Sequence, residues 1–215
     1  MQQVLLVRHG ETLWNTEQRI QGQSDSALTE QGIQQARQTG LRLQHAGITH
    51  IIASDLGRTQ HTASIIAEYC GCPVLTDSRL REINMGTLEG RVLTSLNQDE
   101  EQWRKSLLNG DPNGRIPQGE SMEELAERMR GALDATRSLP TGSKPLLISH
   151  GIALGCLLGT LLGLPAWAER RLRLRNCSVS RVDYQSSSWL AEGWIVESTG
   201  DIAHLSDPAL DELKA

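Results

Sequence analysis

A chain of 215 residues can form one large domain or two small ones, and 38% hydrophobic content is enough for a sizeable core. The net charge of −5 argues against a non-specific nucleic-acid binder, which would lean basic. Phe is absent, so Leu, Ile, Val and Ala must supply most of the packing.

Residues 3–7 form a short, continuously apolar run, the pattern of a strand buried on both faces in a parallel sheet. The run ends in Arg8-His9-Gly10. Thr29 can cap a helix over residues 30–46, closed by Gly47. A second buried strand at 50–54 leads through Ser54-Asp55-Leu56-Gly57-Arg58 into a helix over 57–69, closed by Gly71. Residues 73–76 make a weaker strand signal.

Residues 90–119 differ from the rest. Apolar periodicity is confined to 103–108, so a short helix followed by a loop is expected, as a lid-like excursion over the site. Ser121-Met122-Glu123-Glu124 is a capping box, predicting a helix to about residue 138. A third strong strand pattern at 145–149 ends in Ser149-His150-Gly151.

The apolar segment 152–164 is too short to cross a bilayer and reads as a buried helix. Its Gly155, Gly159 and Gly163 predict close packing against the sheet. Alternating Arg and Leu at 170–175 predict a strand or a subunit edge, with the arginines solvated or paired. Residues 179–184 and 189–196 predict a hairpin added to the sheet edge. The alternation implies an α/β fold with a mostly parallel central sheet, as a single domain over 1–215.

Cys70, Cys72, Cys156 and Cys177 lack metal or redox spacing and read as reduced, mostly buried thiols of a cytoplasmic protein. The N-terminus is expected to enter a strand at once, and nothing in it suggests secretion.

Ligands of an open parallel sheet bind beyond the carboxyl ends of its strands. Arg8, His9, Arg58 and His150 all follow such ends. Arginine forks bind phosphoryl oxygens bidentately and stay charged at any working pH. The helix N-termini after Gly57 and His150 would add N–H donors. A neutral imidazole at His9 could attack phosphorus, while Gly10 would let the backbone pass close to the bound group. Glu82 is the carboxylate best placed to protonate a leaving alkoxide, its pKa raised beside a phosphate. Glu11, Glu17 and Glu89 are its rivals. There is no G-x-S-x-G elbow and no G-x-G-x-x-G after the first strand, which argues against serine hydrolases and dinucleotide binders.

The ensemble resembles the histidine phosphatase superfamily, in its phosphoglycerate-mutase-like branch. The runs that carry the resemblance are Leu6-Val7-Arg8-His9-Gly10-Glu11-Thr12, Trp14-Asn15, Gln21-Gly22, Leu28-Thr29-Glu30-Gln31-Gly32, Ser54-Asp55-Leu56-Gly57-Arg58-Thr59, the stretch 82–90, and Ser149-His150-Gly151. The resemblance implies a three-layer α/β/α sandwich and phosphoryl transfer through a phosphohistidine at His9. It implies a phosphate pocket of Arg8, Arg58 and His150, with Asn15 on its rim and Glu82 as acid–base carboxylate. Gln21, Gly22 and Gly151 fall where relatives contact substrate.

The expected partner is a small phosphorylated metabolite, with no nucleic acid and no membrane; homo-oligomerisation is left open. No metal is needed, and a bisphosphoglycerate primer only if the protein is a mutase. Cofactor-dependent mutases of the branch carry an Arg and a Tyr where this chain has Ile83 and Met85, and a longer, more basic lid. Arg104 and Lys105 are the residues that could stand in for that lid's cations. The pocket therefore leans toward phosphomonoester hydrolysis, with interconversion of 2- and 3-phosphoglycerate as the alternative. A phospholigand-binding protein without catalysis is the remote third reading.

Overall fold

The three strong apolar runs lie side by side at the centre of one sheet. In the computed structural model, which describes residues 2–185 and 191–206, these are β1 (Gln2–Arg8), β2 (His50–Ala53) and β4 (Pro145–Ser149). With β3 (Val74–Thr76), β5 (Val179–Gln185) and β6 (Gly193–Asp201), the order is β3-β2-β4-β1-β5-β6. The β3–β2, β2–β4 and β4–β1 pairs are parallel, whereas β1–β5 and β5–β6 are antiparallel. The hairpin is thus an edge addition, and β6 runs on to Asp201; Trp189, expected to open it, lies outside the described residues.

Side chains on successive residues of β1 point to opposite faces, and both faces are covered. Val4 and Leu6 pack with Leu125, Met129, Leu154 and Leu157, from α5 (Met122–Ala135) and α6 (Gly151–Leu161). Leu5 and Val7 pack with Leu43, Ala63 and Ile66, from α2 (Glu30–Leu43) and α3 (Gly57–Cys70). This is the three-layer α/β/α sandwich that the family resemblance implied.

Helix boundaries follow their caps. Thr29 Oγ1 accepts from Gly32 N at 3.0 Å, and the Ser121–Glu124 box closes at 2.8 and 3.2 Å. α2 stops at Leu43 rather than Ala46, because Ala46 N turns back to Leu43 O and Gly47 takes a φ of +72°. The excursion 90–119 holds a 3₁₀ turn at Leu93–Ser95 and then α4 (Gln98–Leu108). α4 begins earlier than apolar periodicity suggested, because Asn97 and Glu100 form a second capping box.

Two packing expectations are corrected. A Cβ at Gly155 would meet nothing within 4 Å, and one at Gly159 only Leu164 Cδ1 at 3.9 Å. Gly163 lies beyond the helix with a φ of +84°. The glycine row therefore does not face the sheet; Leu154, Leu157 and Leu158 make the buried side of α6. Residues 170–175 form no strand. Their alternation reports an extended segment lying over the core, with Leu174 inward and Arg171 and Arg173 outward. Among the described residues, no helix is long and apolar enough to cross a membrane.

Candidate active site

Adjacency of β1, β4 and β2 brings their carboxyl ends together, and the candidate residues leave the sheet there. Arg8 and His9 end β1, His150 caps α6 after β4, and Arg58 lies in the first turn of α3 after β2. Arg8, His9, Arg58, Glu82 and His150 are all buried. The His9 and His150 rings meet edge to face, with centroids 5.2 Å apart.

His9 Nδ1 lies 2.7 Å from the carbonyl oxygen of Gly10. A carbonyl only accepts, so Nδ1 carries the proton and Nε2 keeps the lone pair. Burial, then Arg58 and Arg8, hold the His9 pKa well below the ordinary 6.5, so the ring is neutral. Asn176 Nδ2 donates to His9 O at 3.1 Å, and Cys177 N to Arg8 O at 3.0 Å, fixing the strand end from behind.

Arg58 is anchored on every side of its fork. Its Nε donates to His150 Nδ1 at 3.1 Å, Nη2 to Gly22 O at 2.7 Å, and Nη1 to Ser24 O at 2.7 Å and Asp25 Oδ1 at 3.2 Å. His150 therefore carries its proton on Nε2, which is buried and finds no hydrogen-bond partner among the described residues. Burial, then Arg58, push the His150 pKa well below its ordinary value. Arg8 Nη1 donates to Leu174 O at 2.7 Å.

Glu82 sits on the N-terminus of α6. Its Oε1 accepts from Ile83 N at 3.0 Å and Ala153 N at 2.8 Å, and its Oε2 from Ile152 N at 3.0 Å. At α3, Arg58 N donates to Asp25 Oδ1 at 3.2 Å. The helix-end donors expected to meet an anion thus already meet carboxylates of the protein. Gly10 also has a different reason: its Cβ would stand 2.5 Å from Gly32 O, so glycine is required for packing against α2 rather than for a ligand.

A cavity of about 340 Å³ opens beside these groups, with Arg8 and His150 behind its lining. His9, Asn15, Gln21, Gly22, Arg58 and Glu82 line it, and Glu82 is the one carboxylate among its described lining residues. Asn15 is oriented by Thr12, whose N–H donates to Asn15 Oδ1 at 3.0 Å. Gly151 is buried as the first residue of α6 and lies behind the lining. Arg104 reaches the cavity, its guanidinium bridged to Glu101 at 2.8 and 2.9 Å. Lys105 does not; it points outward from α4, 60% exposed, with Glu101 at 3.3 Å.

The rival carboxylates have other duties. Glu11 Oε1 accepts from Thr29 Oγ1 at 2.7 Å, and Glu17 pairs with Arg19 at 2.9 Å. Glu89 accepts from Gln23 N, Ser24 N, Ser24 Oγ and Met85 N at 2.7 to 3.1 Å. Sequence reasoning missed Asn176 and Arg170, which also lines the cavity, and Arg128. Arg128 holds the loop before Glu82 through the carbonyls of Arg79, Arg81 and Glu82 at 2.6 to 2.8 Å. The Arg–Leu alternation around Arg170 predicts an edge, whereas Arg170 stands in the cavity wall.

Residues 4–197 match the sequence profile of the histidine phosphatase superfamily, branch 1. The chain belongs to the histidine phosphatase superfamily. It is 67% identical, over 214 residues and the full length of both chains, to the probable phosphoglycerate mutase GpmB of Escherichia coli K12 / DH10B. Among solved structures of this fold it resembles Bacillus stearothermophilus YhfR, at 28% identity and a TM-score of 0.85 over 95% of this chain and 100% of that one. A mycobacterial glucosyl-3-phosphoglycerate phosphatase matches at 27% identity and a TM-score of 0.79, over 93% and 99% of the two chains. A phosphoserine phosphatase of Entamoeba histolytica matches at 26% identity and a TM-score of 0.83, over 95% and 100%. Membership makes this chain an enzyme of the phosphatase and mutase kind, with the expected sandwich fold.

Proposed function

We propose that the protein hydrolyses phosphomonoesters of small metabolites through a phosphohistidine at His9. The observation that carries this is the His9 Nδ1–Gly10 bond, which leaves a neutral imidazole with its Nε2 lone pair in a cavity that also holds Glu82. Nε2 attacks phosphorus, the ester P–O bond breaks, and Glu82 gives the departing oxygen its proton. Glu82 then takes a proton from water, whose oxygen attacks phosphorus as the P–N bond breaks. Arg8, Arg58 and the His150 Nε2–H stabilise the charge on the transferring oxygens. Three backbone N–H groups hold the Glu82 carboxyl in place.

Among the described residues, no three His, Cys, Asp or Glu are grouped to hold a metal. The free thiols Cys70, Cys72, Cys156 and Cys177 support a reducing, cytoplasmic setting, and the single sheet supports one domain.

The name of the 67% identical relative favours a second reading, interconversion of 2- and 3-phosphoglycerate. Against it, Ile83 is buried in the core, Met85 offers the cavity only an apolar thioether, and Arg104 is already bridged to Glu101. Incubation with 3-phosphoglycerate separates the two. Hydrolysis gives inorganic phosphate without 2-phosphoglycerate; formation of 2-phosphoglycerate at a comparable rate would replace the hydrolytic reading with the mutase. In both, His9→Ala removes the acid-labile phosphoenzyme, and persistence of that label would refute His9 as nucleophile.

A further inference from the structure

Beyond its phosphate-facing groups, the cavity wall has a smaller polar part, Thr16, Gln18, Arg19, Arg104 and Arg170, and a larger apolar part. Trp14, Ile20, Met85, Leu93, Leu108 and Ile152 form the apolar part. Leu93 and Leu108 come from the excursion 90–119, so that segment supplies the cavity with two leucines and a single arginine. Arg104 is that arginine, and two hydrogen bonds tie it to Glu101 at 2.8 and 2.9 Å. The Arg104 pairing, with Lys105 adding to it, holds the Glu101 carboxyl at about 2, so Glu101 stays ionised beside Arg104 at any working pH. Arg19 is engaged by Glu17 at 2.9 Å and Gly90 O at 2.7 Å.

We propose that the preferred substrate is the phosphate monoester of an alcohol with an apolar body, several carbons of alkyl or aryl surface beyond the ester oxygen. The proposal rests on the phosphomonoesterase reading and deepens it. A glyceric or polyol body would press hydroxyl and carboxylate groups against Leu93, Leu108 and Trp14, where desolvation costs are not recovered. An alkyl body would gain about fourfold in kcat/KM for each methylene it buries there. Arg170 is the wall residue at which a carboxylated body would be read instead.

The test is a series of esters with comparable alkoxide leaving groups, so that rate differences report the body and not the chemistry. Butyl phosphate, hexyl phosphate, glycerol 3-phosphate and 3-phosphoglycerate are compared by kcat/KM for phosphate release, with phosphoenzyme trapped in parallel. Hexyl phosphate is expected to exceed butyl phosphate on the order of tenfold, and both to exceed the polar esters. Leu108→Asn, and independently Leu93→Asn, should bring the hexyl-to-butyl ratio toward one. A flat chain-length profile, or 3-phosphoglycerate as the best ester, with phosphoenzyme still formed, overturns the apolar-body inference alone. No phosphoenzyme from any ester overturns the phosphomonoesterase reading with it.

Discussion

Arg58 Nε donates to His150 Nδ1 at 3.1 Å, joining a cavity-lining arginine to a buried histidine 92 positions away. The bond sets the His150 tautomer, while the other nitrogens of Arg58 are aimed by Gly22 O, Ser24 O and Asp25. Arg58 is thus a geometric pin as well as a charge. Arg58→Lys keeps the charge but cannot make this set of bonds, and it leaves buried carbonyls without donors. We expect kcat/KM to fall by about two orders of magnitude or more, with vanadate binding weakened in parallel. Tm should fall by several degrees, since each lost kilocalorie per mole shifts a chain of this size by about 2–4 °C. A lysine variant with unchanged vanadate affinity would show that charge alone matters at this position.

The two buried histidines make stability depend on pH. Both have pKa values held below the ordinary 6.5, chiefly by burial. Above 6.5 they are neutral in folded and unfolded chains alike. Below it, the unfolded chain takes up protons that the folded chain refuses, so unfolding becomes easier as pH falls. The loss is at most about 1.4 kcal/mol per pH unit for each histidine. Thermal melts between pH 7 and pH 5 should therefore show a falling Tm, and His9→Gln should flatten the fall. An equal slope in the variant would mean that other groups carry the dependence.

The sheet and its catalytic edge were legible because strands buried on both faces leave unbroken apolar runs, and Arg8-His9 and His150 end two of them. What was not legible is what reaches those residues from elsewhere. Asn176 holds His9 O across 167 positions, and no local pattern marks an asparagine for that task. A helix N-terminus can be read from Ser149-His150-Gly151, but not that Glu82 already occupies it. Gly10 lies in the close contact with Gly32, which nothing in the sequence around either glycine marks. Spacing likewise marks Gly155, Gly159 and Gly163 as one face but does not show what that face meets.

Glu82 has two duties that one substitution can separate. Glu82→Gln removes the proton donor while keeping the shape. It also turns one accepting oxygen into a donor among three backbone N–H groups, at a cost of about 1–3 kcal/mol. Tm should fall by a few degrees for every substrate state. Turnover should split: alkyl phosphates, whose leaving oxygen needs a proton, should slow by about two orders of magnitude or more, and aryl phosphates far less. Equal slowing of the two classes would leave Glu82 only its capping duty.

Glu89 offers the complementary case of a carboxylate that acts through another residue. Its two oxygens bind Gln23 N, Ser24 N, Ser24 Oγ and Met85 N, tying the turn at 22–24 to the loop after Glu82. That turn supplies the carbonyls of Gly22 and Ser24 that aim Arg58. Gly22, at a φ of +53°, packs so closely that a Cβ there would stand 2.3 Å from Glu89 Oε1. Glu89→Gln sets an NH2 against backbone N–H groups, so the turn must shift and carry Arg58 with it. We expect kcat/KM to fall about tenfold or more, vanadate to bind more weakly, and alkyl and aryl phosphates to be slowed alike. Glu89→Asp, which keeps the charge on a shorter arm, should recover part of the vanadate affinity. A strong alkyl-over-aryl effect in Glu89→Gln would instead make Glu89 a proton donor and displace Glu82 from that role.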